Sequence, residues 1–294
     1  MRIPERTRVR GRLTPWLLIL WLAGCRGGED AAVPFPAEPS RIVCASPAVA
    51  EIVFALGAGD RVAAVADFTD WPPEAAEKPR IGGALSPSRE RILALQADLI
   101  LSQGRSEALA ALAREHRIAF FSLPLDTLSD VRAAIAGCAA RLNAEERGRR
   151  LLREFDAGLA ALPRREPVPV LIALGHSPGD LSGLMTTGAG TFLHDIVELA
   201  GGRNVFKDVP LPWPRISRES LLRRAPALVL DLQAVALDDT RRAALAADWQ
   251  RLGFAPAQVR ILEEDFLLRP GPRAPLAAAR IAESIHHISA TPSP

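Results

Sequence analysis

At 294 residues the chain exceeds the usual single domain, and 48% apolar with 24% charged residues is the balance of a soluble globular protein with a sizeable core. The formal net charge is +2, but five arginines and one glutamate within the first 24 residues account for +4, so the remainder carries −2. That excludes a strongly basic nucleic-acid surface. Lys78 and Lys207 are the only lysines among 36 basic residues, a compositional bias to which no function attaches.

Arg2, Arg6, Arg8, Arg10 and Arg12 precede an apolar stretch ending at residues 16–22. It is too short for a bilayer, which needs roughly 20 residues, and it fits the apolar region of a secretory signal. Leu22-Ala23-Gly24-Cys25 follows, and small residues before a cysteine resemble a bacterial lipobox. Residues 1–24 are therefore expected to be a lipoprotein signal peptide, with Cys25 lipidated at the mature terminus. Residues 25–39, rich in Gly, Pro and acid, read as a tether that holds the protein in the periplasm or at the outer face of the cell membrane.

From residue 41 onward, short β-branched runs alternate with helical patterns. RIVCAS, RVAAVAD, ADLILS and RIAFFSL come first, then VPVLIALG, ALVLDLQ and QVRILEE. The alternation predicts an α/β fold of two lobes with mainly parallel sheets, at 40–142 and 167–290. Between them runs the longest helical stretch, starting at Thr127 and restarting at Asn143, which with Glu146 spells a capping box. A single long rigid helix over 143–166 would join the lobes. Cys44 falls in the first strand and Cys138 on a helical apolar face; the export compartment permits a disulfide, and two buried thiols fit equally well.

One short stretch recurs. SRERILALQADLIL from Ser88 lies without a gap over SRESLLRRAPALVL from Ser217, so each lobe repeats a helix start followed by a strand. Serine as N-cap with glutamate two residues on is an ordinary helix start. Two copies in matching places also present two exposed carboxylates, Glu90 and Glu219, to any partner with arginine-lined sockets.

The segments SPAVAEIVFALGAGDRVAAVADFTDWPPEA, ALSPSRERILALQADLILSQG, TTGAGTFLHDIVELAGGRNVF and PWPRISRESLL resemble the periplasmic substrate-binding proteins of ABC importers for iron-siderophores, haem and vitamin B12. The resemblance covers residues 40–289, and FKDVPLPWPRISRES with EDFLLRPGPR brings it nearest to the cobalamin-binding branch. It implies a monomer that takes a small metal-chelate ligand, cobalamin or a related corrinoid, into the cleft between lobes and delivers it to an ABC permease with its ATPase, docking through Glu90 and Glu219. It implies no catalytic residue, no resident cofactor or metal, and no nucleic acid. Ligand contacts would come from Pro47 and Phe68 in the first lobe and from Met185, Trp213, Asp265 and Arg269 in the second.

Trp213 sits between Pro212 and Pro214, a stiff loop suited to presenting a flat ring. Trp71, before Pro72-Pro73, shares that style and joins the ligand set. Asp265 and Arg269 also satisfy an i,i+4 surface pair. Where corrinoid-binding members carry tryptophans, this chain has Ala84 and Gln103, so Gln103 would meet the ligand as a polar side chain. A ferric siderophore or haem is the alternative cargo, but the chain has no tyrosine, and His176 is the one histidine expected near the strand ends, as a loop histidine with satisfied contacts.

A reading from another class is a secreted serine hydrolase using Ser177, because Gly175-His176-Ser177-Pro178-Gly179 follows a strand and matches G-x-S-x-G. Against it, Pro178 has no N–H to offer an oxyanion, and GDLSGLMTTG is too rich in breakers for the helix that should follow. His286 and His287 are adjacent and no H-x-x-x-H exists, so no zinc site is expected.

Overall fold

Each of the seven β-rich runs forms a strand in the computed structural model, which describes residues 34–83, 86–180 and 184–289. The first lobe runs β1 (Ile42–Cys44), α1 (Pro47–Ala55), β2 (Val62–Val65), α2 (Pro73–Ala76), α3 (Arg89–Ala94), β3 (Leu99–Gln103), α4 (Glu107–His116) and β4 (Ala119–Leu123). Helices α5 (Leu128–Arg141) and α6 (Glu145–Ala160) lead to the second: β5 (Val168–Leu174), α7 (Phe192–Leu199), β6 (Gly202–Asn204), α8 (Arg218–Arg224), β7 (Leu228–Leu232), α9 (Asp239–Arg251), β8 (Val259–Leu262) and α10 (Ala274–Ser289).

The strand orders are β2-β1-β3-β4 and β6-β5-β7-β8, with every ladder parallel. Parallel strands covered on both faces need continuous apolar runs, and IVC, LILSQ and LVLDL supply them. The two sheets have one topology, so the Ser-Arg-Glu repeat has a structural basis. Ser88 and Ser217 both cap helices that precede the third strand of their sheet, accepting from the N–H of Arg91 and Ser220. Ile92 and Leu221, aligned in the repeat, are both buried.

The linking segment departs from expectation in one detail. Thr127 does start α5, with a full capping box to Asp130, but the Asn143–Glu146 box is absent. Asn143 adopts a left-handed φ of 54° and its side-chain amide donates to the Ala37 carbonyl at 2.9 Å, leaving Ala144 as an N-cap without a side-chain bond. The connecting helix is thus α6, shorter than 143–166, and it lies back against α5. A Cβ on Gly148 of α6 would come within 2.4 Å of the Ala139 Cβ on α5. Gly148→Val is expected to push the pair apart and lower stability by about 1–3 kcal/mol, read as the midpoint of urea unfolding.

Three buried clusters organise the core. One lies on the outer face of the first sheet around Ile100 and Leu112, and one on the outer face of the second around Val229 and Trp249. The third is continuous across both lobes, running from Ile42 and Leu101 through Val131 and Phe155 to Ile172, Leu230 and Ile281. Cys44 and Cys138 are both buried as free thiols. Burial pushes Cys138 up to about 12 and Cys44 well above the ordinary thiol range, so both are inert fillers of the core.

Candidate ligand-binding cleft

In an open parallel sheet, ligands bind outside the carboxyl ends of the strands. There the lobes face each other across a cavity of about 670 Å³, lined by Pro47, Phe68 and Asp70 from the first lobe and by residues 234–236, Asp265, Leu268 and Arg269 from the second. Pro47 is in place because it opens α1, behind the Ser46 cap. Phe68 holds a left-handed φ of 61° and its ring is 76% exposed, while Val235 opposite is 58% exposed. Bare apolar side chains facing each other across a cleft mark a surface meant to be covered.

Polar groups form one edge of this cavity. The Arg269 guanidinium donates to the Phe68 carbonyl at 2.9 Å and pairs with Asp265 at 3.0 Å and with Glu51 at 3.5 Å. The pair is therefore more than an isolated i,i+4 contact on one surface, because it reaches the opposite lobe. Arg273 lies behind it, bonded to both Glu51 and Asp265. Burial pushes the Asp265 carboxyl up, but its bonds to Arg273 and the charges of Arg273 and Arg269 hold it below the usual carboxylate range.

The segments that carry Met185 and Trp213 are paired with each other through the backbone. The N–H groups of Thr186 and Gly188 donate to the carbonyls of Pro214 and Pro212, and Met185 bridges Arg215, so backbone bonds hold the proline-flanked loop, but residues 209–213 run through bends where an extended stretch was expected. Gly188 permits this approach, since a Cβ there would sit 2.1 Å from the Leu211 carbonyl oxygen. Trp213 is 40% exposed. Neither residue lines the 670 Å³ cavity as described, and Gln103 ends β3 exposed, also outside it. Trp71 lines a neighbouring cavity of about 420 Å³ with Glu51, Phe54 and Arg273, its ring 5.3 Å from the Arg273 guanidinium. Ala84 and Cys25 lie outside the described residues.

Glu90 and Glu219 are exposed in the first turns of α3 and α8. A crossover helix runs antiparallel to its parallel strands, so both starts lie toward the carboxyl edges, the same end as the cleft.

His176 is a loop histidine with its contacts satisfied, but by buried carboxylates instead of backbone. Its Nδ1 is 2.7 Å from Asp231 on β7 and its Nε2 is 3.1 Å from Asp248 on α9. The Trp249 indole N–H and the Gln233 amide donate to Asp231, while the Gly179 N–H and Arg251 serve Asp248. Burial lowers the His176 pKa, and the bonds and charges of the two carboxylates outweigh it, leaving the group above the ordinary histidine value. Both ring nitrogens are thereby committed, and none is free to serve Ser177 as a base. Residues 177–180 form a turn, not a helix, so the hydrolase geometry is missing. Among the described residues no cluster of metal-ligating side chains occurs.

Glu51, Asp70, Val235 and Arg273 were not anticipated. Only Glu51 leaves a trace in the sequence, as a lone carboxylate in the otherwise apolar PAVAEIVFA.

Comparison with known proteins agrees with this geometry. The periplasmic binding protein family matches residues 42–237. A vitamin B12-binding protein of Pectobacterium atrosepticum is 30% identical over 272 residues, covering 87% of this chain and 92% of its own length. Among solved structures, the periplasmic haem-binding protein BhuT with two haems is 26% identical with a TM-score of 0.70, covering 83% of this chain and 98% of that one. The periplasmic vitamin B12 binding protein BtuF of Vibrio cholerae, at 24% identity and a TM-score of 0.69, covers 87% and 100% and shares the fold. Each of these relatives is a binding protein by name. With two parallel-sheet lobes facing each other across a cleft and a sequence match over most of its length, the chain belongs to the periplasmic binding protein family.

Proposed function

We propose that this protein is the lipid-anchored substrate-binding component of an ABC importer, capturing cobalamin or a related corrinoid and delivering it to the permease and its ATPase. The observation that carries the reading is the cleft itself, where bare Phe68 and Val235 face a polar edge of Asp265 and Arg269. A large flat ligand with an apolar face and amide-bearing rims suits such a site: apolar burial supplies affinity and a few charged groups fix orientation. The protein needs no metal or cofactor of its own, because the metal arrives inside the chelate. Similarity to vitamin B12-binding proteins over 87% of the chain supports the same cargo.

Haem is the second reading, favoured by the likeness to BhuT. No histidine or tyrosine lines the cavity among the described residues, which argues for a cargo whose metal is already fully ligated. Cys25 would carry the lipid and Glu90 and Glu219 would meet the permease, with the protein acting as a monomer.

Titrating tryptophan fluorescence with cyanocobalamin, a panel of ferric siderophores and haemin tests the cargo. Saturable quenching by cyanocobalamin at micromolar concentration or below is expected; saturation by a siderophore or haemin with no response to cyanocobalamin rejects it. Phe68→Ala is expected to weaken the preferred ligand roughly thirtyfold, the effect of losing one aromatic anchor of about 2 kcal/mol.

A further inference from the structure

The lobes are tied at the root of the cleft by a cluster of two carboxylates and two guanidinium groups. Arg273, at the start of α10, points its Nε and Nη2 at Glu51 of α1, at 3.0 and 2.5 Å, and its Nη1 and Nη2 at Asp265, at 3.1 and 3.0 Å. The guanidinium is flanked by the rings of Trp71 from the first lobe and Phe266 from the second, 5.3 and 5.5 Å away. Glu51 is only 3% exposed. Parting the lobes here would leave a buried carboxylate without its partner, a state proteins avoid.

This cluster is wired to the cavity wall. Asp265 is shared between Arg273 and Arg269, and Arg269 returns to the first lobe through the Phe68 carbonyl. Phe68 holds a left-handed backbone that a bulky residue adopts only when its surroundings impose it. The contacts thus run from Glu51 across to Arg273, Asp265 and Arg269 and back to Phe68, and three of those five residues line the cavity.

We infer that Glu51 and Arg273, which lie outside the cavity, are positioning residues that pin the two lobes at one separation and so hold Phe68, Asp265 and Arg269 in a preformed cleft. Binding would then require little closure, and loosening the pin would lower the fraction of molecules competent to bind before it altered any contact with the ligand. The inference rests on the cleft being the ligand site, but the lobe separation it describes can be measured without ligand.

The test uses the full chain carrying Cys25→Ser, with spin labels at Glu107→Cys on α4 and Gln250→Cys on α9. Both positions are exposed, whereas Cys44 and Cys138 are buried and will not label. In ligand-free protein the distance distribution between labels is expected to be narrow and to broaden in Glu51→Gln. The apparent Kd for the ligand retained from the fluorescence panel should rise about tenfold, mainly through slower association, as when the competent fraction falls to a tenth. Arg273→Lys keeps the charge but not the two-sided fork, and should behave alike; it also serves if Glu51→Gln fails to fold. An unchanged distribution and association rate in a folded variant overturns the inference, even if its melting temperature falls. If the unsubstituted protein binds nothing in the panel, the reading of the cargo fails, and the ligand-free distances alone decide the pin.

Discussion

Asp231→Ala is expected to destabilise the protein by about 3–5 kcal/mol at neutral pH, because it leaves buried His176 with one carboxylate fewer and strips Trp249 and Gln233 of their acceptor. A neutral imidazole has one donor nitrogen, yet His176 faces a carboxylate on each side. Only the imidazolium donates to both, so the native state favours the charged form. Since the folded pKa is raised above the ordinary 6.5, the stabilisation is fully present below about that pH and is lost as pH rises through the folded value. Thermal midpoints measured from pH 6 upward should therefore fall with rising pH in the unsubstituted protein and fall less in His176→Gln. Equal slopes for the two proteins, or a native-like midpoint for Asp231→Ala, would remove the charged triad from the account.

Charge reversal at both Glu90 and Glu219 has the largest expected effect on transport. In the docking proposed above, like charges set against arginines of a permease would cost several kcal/mol at each site. The two sites lie on separate lobes and their costs should add, so docking weakens by well over a hundredfold and uptake in cells falls to background. Ligand affinity should stay within a factor of two, because neither side chain lines the cavity. Folding should also persist: Glu90 and Glu219 are exposed, and a first-turn carboxylate contributes only about 0.3–1 kcal/mol to its helix. Uptake that survives the double change would reduce both residues to helix-start charges.

Local rules made most of the architecture legible. Runs such as ALVLDLQ and VPVLIALG announced β7 and β5, since buried parallel strands need nearly continuous apolar sequence, which Asp231 alone interrupts in β7. Strand β6 escaped notice because Gly202-Arg203-Asn204 has neither length nor β-branched residues, and pairing with β5 alone makes it a strand. The Thr127 helix start was readable because its partner lies three residues away. Asn143 was misread because its partner, Ala37, is 106 residues distant. The same distance law governs the site: Pro47, Phe68, Asp265 and Arg269 were named through the family resemblance and not through local pattern, Glu51 and Arg273 meet across 222 residues, and His176 finds its carboxylates 55 and 72 residues on. Chemistry assembled by the fold is silent in a window of ten residues.

The apolar cluster that runs through both sheets has a consequence for how the chain folds. A domain in the thermodynamic sense owns its core, and here each lobe owns only the cluster on its outer sheet face and shares the third: cutting after α6 would bare the face of α5 and β1 on one fragment and that of α7 and α10 on the other. The two halves repeat each other in topology yet are expected to melt as a single cooperative unit, because neither can bury its share of the common interior alone.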